Sequence, residues 1–206
     1  MALLTLTSFL TLDGVMQAPG GREEDRSDGF DYGGWLVPFS DEDMARFMIE
    51  VFDRCDAFLL GRRTYEIFAA YWPKVTDPDD PIASRLNSLP KHVVTRTLDT
   101  ADWHNSHIVR GDLVEEVTRL KQQPGREIQV HGSARLAHGL IAHGLVDVYN
   151  LLVYPVFLGK GRRLFPDGGT PTAFTLDGHR TTRAGVTIQT YRPTGPAEFG
   201  DFPLDQ

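Results

Sequence analysis

The spacing of hydrophobic and polar positions changes period several times along the chain, and each change predicts an element. Residues 2–9 are apolar with threonines interleaved, which predicts a first, largely buried strand ended by Asp13-Gly14. Residues 10–39 follow no period and are rich in Gly and Asp, a long irregular segment of the kind that usually carries function or moves. Met44, Phe47, Met48, Val51 and Phe52 then keep helical spacing behind Ser40, which offers an N-cap, so residues 41–54 predict an amphipathic helix. "DAFLLG" at 56–61 predicts a short buried strand, and a helix from Arg63 to Ala70 stops before Pro73. A short helix at 79–89 has Pro near its start. Strands follow at 91–95 and 106–110, and Asp112 caps the helix "LVEEVTRLKQQ". A strand at 127–132, a helix from Ser133 to Gly144, a long β-branched-rich strand at 146–159 and two strands near 172–182 and 186–192 complete the pattern.

Strands and helices alternate through residue 155, which predicts an α/β protein: a mostly parallel central sheet with helices on both faces. The last strands have no helices between them and predict an antiparallel C-terminal edge. The expectation is a single domain over residues 1–193, with an extended tail at 194–206.

Composition narrows the function. The net charge is −7, which argues against a nucleic-acid partner and makes the basic spots Arg62-Arg63 and Lys160–Arg163 stand out. Cys55 is the one cysteine, so no internal disulfide forms and a cytoplasmic location is expected. No apolar run approaches the roughly 18 residues of a membrane span, and the apolar start reads as a strand rather than a signal peptide. His138 and His143 lie off one helical face and have no cysteine partner, so no metal site is expected.

Three strand ends carry the candidate chemistry: "LLGRRTYE" at 59–66, "VVTRTL" at 93–98 and "VHGSARL" at 130–136. In open α/β sheets, ligands bind outside the carboxyl ends of the strands. Gly61 and Gly132 allow close backbone approach, Thr64 and Ser133 add hydroxyls, and Arg62, Arg63 and Arg96 add permanent charge suited to a phosphate monoester. The amides that open the following helices have no partners within those helices. Together these point to a dinucleotide with an extra ribose phosphate, that is, NADPH.

These stretches, with "LDGVM" and "VHGSARLAHGLIAHGLVDVYNLLVYPVFLGKGRRLF", resemble the dihydrofolate-reductase-like superfamily over residues 2–192. Within it the chain is most similar to the branch that includes the reductase domain of bacterial riboflavin biosynthesis, and to its small stand-alone relatives. The resemblance implies a three-layer α/β fold, NADPH as hydride donor and a homodimer. It implies that Gly61, Arg62, Arg63 and Thr64 meet the 2′-phosphate and pyrophosphate, that Thr95 and Arg96 lie beside the adenosine ribose phosphate, and that Gly132, Ser133, Ala134 and Arg135 follow the pyrophosphate. Met16 and Gln17 would close over the nicotinamide, with Asp13 as the catalytic candidate; Leu158, Gly159 and Phe47 would face the substrate. Dihydrofolate reductases anchor the pterin with a carboxylate on the first helix. The matching position here falls near Ala45, so folate reduction is not expected. The expected function is an NADPH-dependent reductase acting on a flat heteroaromatic or conjugated small molecule, pterin-like or ribosylaminopyrimidine-like. Two alternatives stay open: a dinucleotide-binding protein without turnover, and a flavin-using oxidoreductase.

Overall fold

The computed structural model describes residues 1–202 of the chain. Eight strands form one sheet in the order β4-β3-β2-β5-β1-β6-β8-β7. The six strands β1 (Leu3–Leu10), β2 (Cys55–Gly61), β3 (Lys91–Val94), β4 (Ser106–Val109), β5 (Glu127–Val130) and β6 (Val148–Val153) run parallel. β7 (Thr172–Thr181) and β8 (Thr187–Pro196) form an antiparallel hairpin that pairs with β6 through β8. This is the mostly parallel sheet with an antiparallel C-terminal edge that the alternation predicts, in the three-layer dihydrofolate-reductase-like arrangement. β8 continues past residue 193 to Pro196, residues 197–202 have no helix or strand, and the rest of the expected tail lies outside the described residues.

Helices α1 (Glu42–Arg54), α2 (Arg62–Tyr71) and α3 (Pro81–Ser88) cover one face, where Phe47, Val51, Phe58 and Leu60 are buried. Helices α4 (Leu113–Lys121) and α5 (Ala134–Ala142) cover the other, over Leu4, Leu6, Leu136 and Leu140. Aspartates cap three of the five: Asp41 accepts from the Met44 amide at 2.8 Å, Asp80 from Ile82 and Ala83, and Asp112 from Val114 and Glu115. Asp41, not Ser40, is thus the cap of α1; its carboxylate also accepts from the Ala184 amide at 2.9 Å, a contact no local pattern shows. Helices α2 and α5 start behind Gly61 and Ser133 with no side-chain cap.

The long strand expected at 146–159 is shorter, because Pro155 has no N–H to continue the ladder. The chain turns there, with the Val156 amide donating to the Tyr154 carbonyl, and passes Gly159 and Gly161 at positive φ. β6 is an interior strand, paired with β1 and β8; the edges of the sheet are β4 and β7, and β7 is the more exposed. In the long first segment, Trp35 and Phe30 are buried in the core, and the Trp35 indole donates to the Gln17 carbonyl at 2.8 Å. These two rings staple the segment down.

Candidate functional site

The turns after β2 and β5 abut. The Gly61 amide donates to the Gly132 carbonyl at 3.2 Å, and a Cβ on Gly132, whose φ is +118°, would come within 2.8 Å of the Thr64 hydroxyl. The Gly132–Ser133 peptide is cis. After β3, the Thr95 hydroxyl accepts from the amides of Thr97 and Leu98, which curls the third turn toward the same place. These turns form one wall of a cavity of about 1180 Å³, large enough for a dinucleotide and a second small molecule.

Gly61, Arg62, Arg63, Thr64, Thr95, Arg96, Gly132, Ser133, Ala134, Arg135, Met16 and Gln17 all lie on this wall. The tertiary structure therefore gathers residues from four separate segments onto one surface. The arginines differ in what they already hold. Arg96 and Arg135 have no hydrogen-bond or ion-pair partner among the described residues. Arg62 reaches Glu66 and the Thr97 hydroxyl, both at 2.7 Å. Arg63 is turned onto Asp25 and the Ser27 hydroxyl.

Asp13, Leu158, Gly159 and Phe47 are placed elsewhere. The Asp13 carboxylate accepts from the Thr11 hydroxyl and from the amides of Leu158 and Gly159, so it ties the 154–161 turn to the end of β1. Burial pushes its carboxyl up, but these hydrogen bonds outweigh burial and hold it below the usual range. Phe47 packs in the core under the Arg180 guanidinium, 5.0 Å from the ring centre. Met48 and Phe52, one turn apart on α1, reach the cavity instead.

Other wall residues include four that the sequence did not single out and one, Arg162, that it marked only as part of the basic run Lys160–Arg163. Glu24, Asp25, Ser27 and Asp28 come from the long first segment, and Arg162 from the turn after β6. Burial pushes the Glu24 carboxyl up, more than the Gly20 and Gly21 amides that it accepts from pull it down. Burial also pushes Asp25 up, but hydrogen bonds from Ser27, Arg63 and Arg162 prevail and bring it to about 2. His131, at the end of β5, stacks on Phe52 with ring centres 5.2 Å apart, and its inaccessible Nε2 has no partner. Burial lowers its pKa to about 4, so the ring is neutral at pH 7. The signal available for the acids was the irregular segment itself, too long and too polar to be a plain connection.

Residues 2–188 match the RibD C-terminal domain family. The chain belongs to that family. Its relatives include the Bacillus subtilis (strain 168) protein YyaP, 29% identical over 93% of this chain and 95% of that one. The protein YwjB of the same organism is 30% identical over 75% of this chain and 82% of its own. Among solved structures, a putative riboflavin biosynthesis protein from Shewanella sp. PV-4 superposes with a TM-score of 0.64 at 19% identity, covering 94% of this chain and 99% of that one. A Thermotoga maritima diaminohydroxyphosphoribosylaminopyrimidine deaminase/5-amino-6-(5-phosphoribosylamino)uracil reductase superposes with a TM-score of 0.63 at 15% identity, covering 93% of this chain and 56% of that one. At those identities the structural likeness shows the fold. No described helix of this family member is long and apolar enough to cross a membrane.

Proposed function

We propose that the chain is an NADPH-dependent reductase that delivers hydride to a flat heteroaromatic or conjugated small molecule. The observation that carries this is the single cavity wall shared by the turns after β2, β3 and β5. Three features of that wall fit a dinucleotide phosphate. Helices α2 and α5 open onto it without side-chain caps, whereas aspartates cap the other helices. Glycines stand where a Cβ would collide with the neighbouring turn. Arg96 and Arg135 lie on it with guanidinium groups that have no partner among the described residues. NADPH, when bound, supplies the hydride. The chain's own part is to hold the phosphates, to line the remaining space with apolar side chains and to exclude water. Burial holds the Glu24 carboxyl above its usual range on this wall, although it accepts from the Gly20 and Gly21 amides.

The family match and the reductase named among the fold neighbours support the same reading. A cytoplasmic homodimer with a single domain, which β8 carries past residue 193 to Pro196, completes the proposal. The dimer draws on β7, an exposed edge strand that carries the exposed Phe174 and Leu176, and on the exposed Phe165. One observation favours the rival, a dinucleotide-binding protein without turnover: Asp13 is engaged in holding a turn. Titration with NADPH and NADH, followed by calorimetry, tests the proposal. NADPH-selective binding with acceptor-dependent NADPH oxidation is the expected result; binding without oxidation favours the rival, and no binding of either nucleotide removes the reductase assignment.

A further inference from the structure

The cavity has two stretches of different character. Arg62, Arg96, Arg110 and Arg135 all stand on the turns and at the helix start that form the polar stretch. The space then continues between α1, α2, α3 and β1, where Phe9, Met48, Phe52, Phe68, Ile82 and Leu86 form the wall. The two remaining cavity arginines, Arg63 and Arg162, both grip the Asp25 carboxylate. Arg162 also reaches the Ser27 hydroxyl and Asp28, each at 2.7 Å. Asp25 is itself half-buried, with its side chain 10% exposed, and Glu24 also lines the cavity. Arg63 is thus paired with Asp25, and Arg162 with Asp25 and Asp28.

We propose that Asp25 is a specificity-determining residue: by occupying Arg63 and Arg162 it leaves the apolar stretch without a phosphate seat, so the acceptor is a neutral, flat, apolar molecule and not a phosphate ester. This deepens the reductase reading, and for the word acceptor it rests on it. The physical reason is direct. A phosphate entering this stretch would be stripped of water beside apolar side chains, with Arg63 and Arg162 already paired to Asp25. A neutral ring loses little water and gains contact with Met48, Phe52 and Phe68.

The test uses a matched pair of fluorescent probes, 2-naphthol and 2-naphthyl phosphate, titrated into the full chain at pH 7. Parallel titrations use Arg96→Ala/Arg135→Ala, so that a phosphate captured in the polar stretch is recognised as such. The expected result is binding of 2-naphthol at least about tenfold tighter than of its phosphate in the double variant. Asp25→Asn, added to that background, should tighten the phosphate by about tenfold and leave 2-naphthol within about twofold. The proposal is overturned if the phosphate binds as well as 2-naphthol while Asp25 is intact, if 2-naphthol does not bind, or if a folded Asp25→Asn leaves the ratio unchanged. Should Asp25→Asn not fold, the comparison with Asp25 intact still decides. These titrations contain no nucleotide. Loss of the reductase reading would show separately, as failure to bind NADPH with the naphthol preference retained.

Discussion

A Cβ on Gly61 would fall on the Ser133 hydroxyl, and the Ser133 backbone nitrogen would lie 3.0 Å from it. The starts of α2 and α5 therefore meet through a glycine that no other residue can replace without moving one of them. Gly61→Ala should destabilise the protein by about 1–3 kcal/mol and weaken NADPH binding. Thermal denaturation and a nucleotide titration on the same preparation check this; an unchanged midpoint with unchanged affinity would show that the two turns yield freely.

Arg96 and Arg62 should differ. Arg96→Ala is expected to weaken NADPH by about 1.5–3 kcal/mol with little effect on NADH, since only the 2′-phosphate distinguishes the two. Arg62→Ala should cost less, because Arg62 already shares its guanidinium with Glu66 and Thr97. Equal losses for both nucleotides would place the phosphate elsewhere.

Asp25 predicts an acid limb in stability. Its folded pKa of about 2 lies below the ordinary 3.8, so its contribution is present above the unfolded value and is lost as pH falls toward 2. Near neutral pH, wild type should exceed Asp25→Asn by roughly 2 kcal/mol, and the gap should narrow below about pH 4. Denaturant unfolding at several pH values reads this directly. A gap that does not vary with pH would mean that the carboxylate is not what the two arginines hold.

His131 acts in a different window. The unfolded ring takes a proton below about 6.5 and the folded ring only below about 4, so folding loses stability as pH falls between those values and levels off beneath them. His131→Phe keeps an aromatic ring against Phe52 and should flatten the pH slope of stability in that interval, by up to about 3 kcal/mol in total. An identical slope in both proteins would show that the buried ring takes its proton without cost.

For the homodimer, Leu176→Lys on the exposed β7 edge should shift the protein from twice the 23.0 kDa chain mass to the chain mass in size-exclusion chromatography. Wild type eluting at the chain mass would remove the dimer.

Much of the fold was legible because its signals are local. The helical spacing of Met44, Met48 and Phe52, the glycines Gly61 and Gly132 at two strand ends and the alternation of strand with helix all act within a few residues of themselves. The errors have the opposite character. Ser40 and Asp41 are both good caps; Asp41 takes the role, and its second oxygen accepts from the Ala184 amide, far along the chain. The 146–159 stretch reads as one strand by its β-branched residues, but a missing N–H at Pro155 ends the ladder.

The candidate site divides in the same way. By itself the sequence determined the strand-to-helix turns at Gly61 and Gly132, the hydroxyls and arginines beside them, and so the nature of one wall, because each turn is specified by its own residues. Only the tertiary structure decided that Arg63 and Arg162, from distant segments, converge on Asp25, that Asp13 holds a turn, and that Met48 and Phe52 line the cavity while Phe47 packs in the core. Charge pairing and burial depend on which segments meet in space. A chain records that only through the free energy of the whole fold, not in the spacing of neighbouring residues.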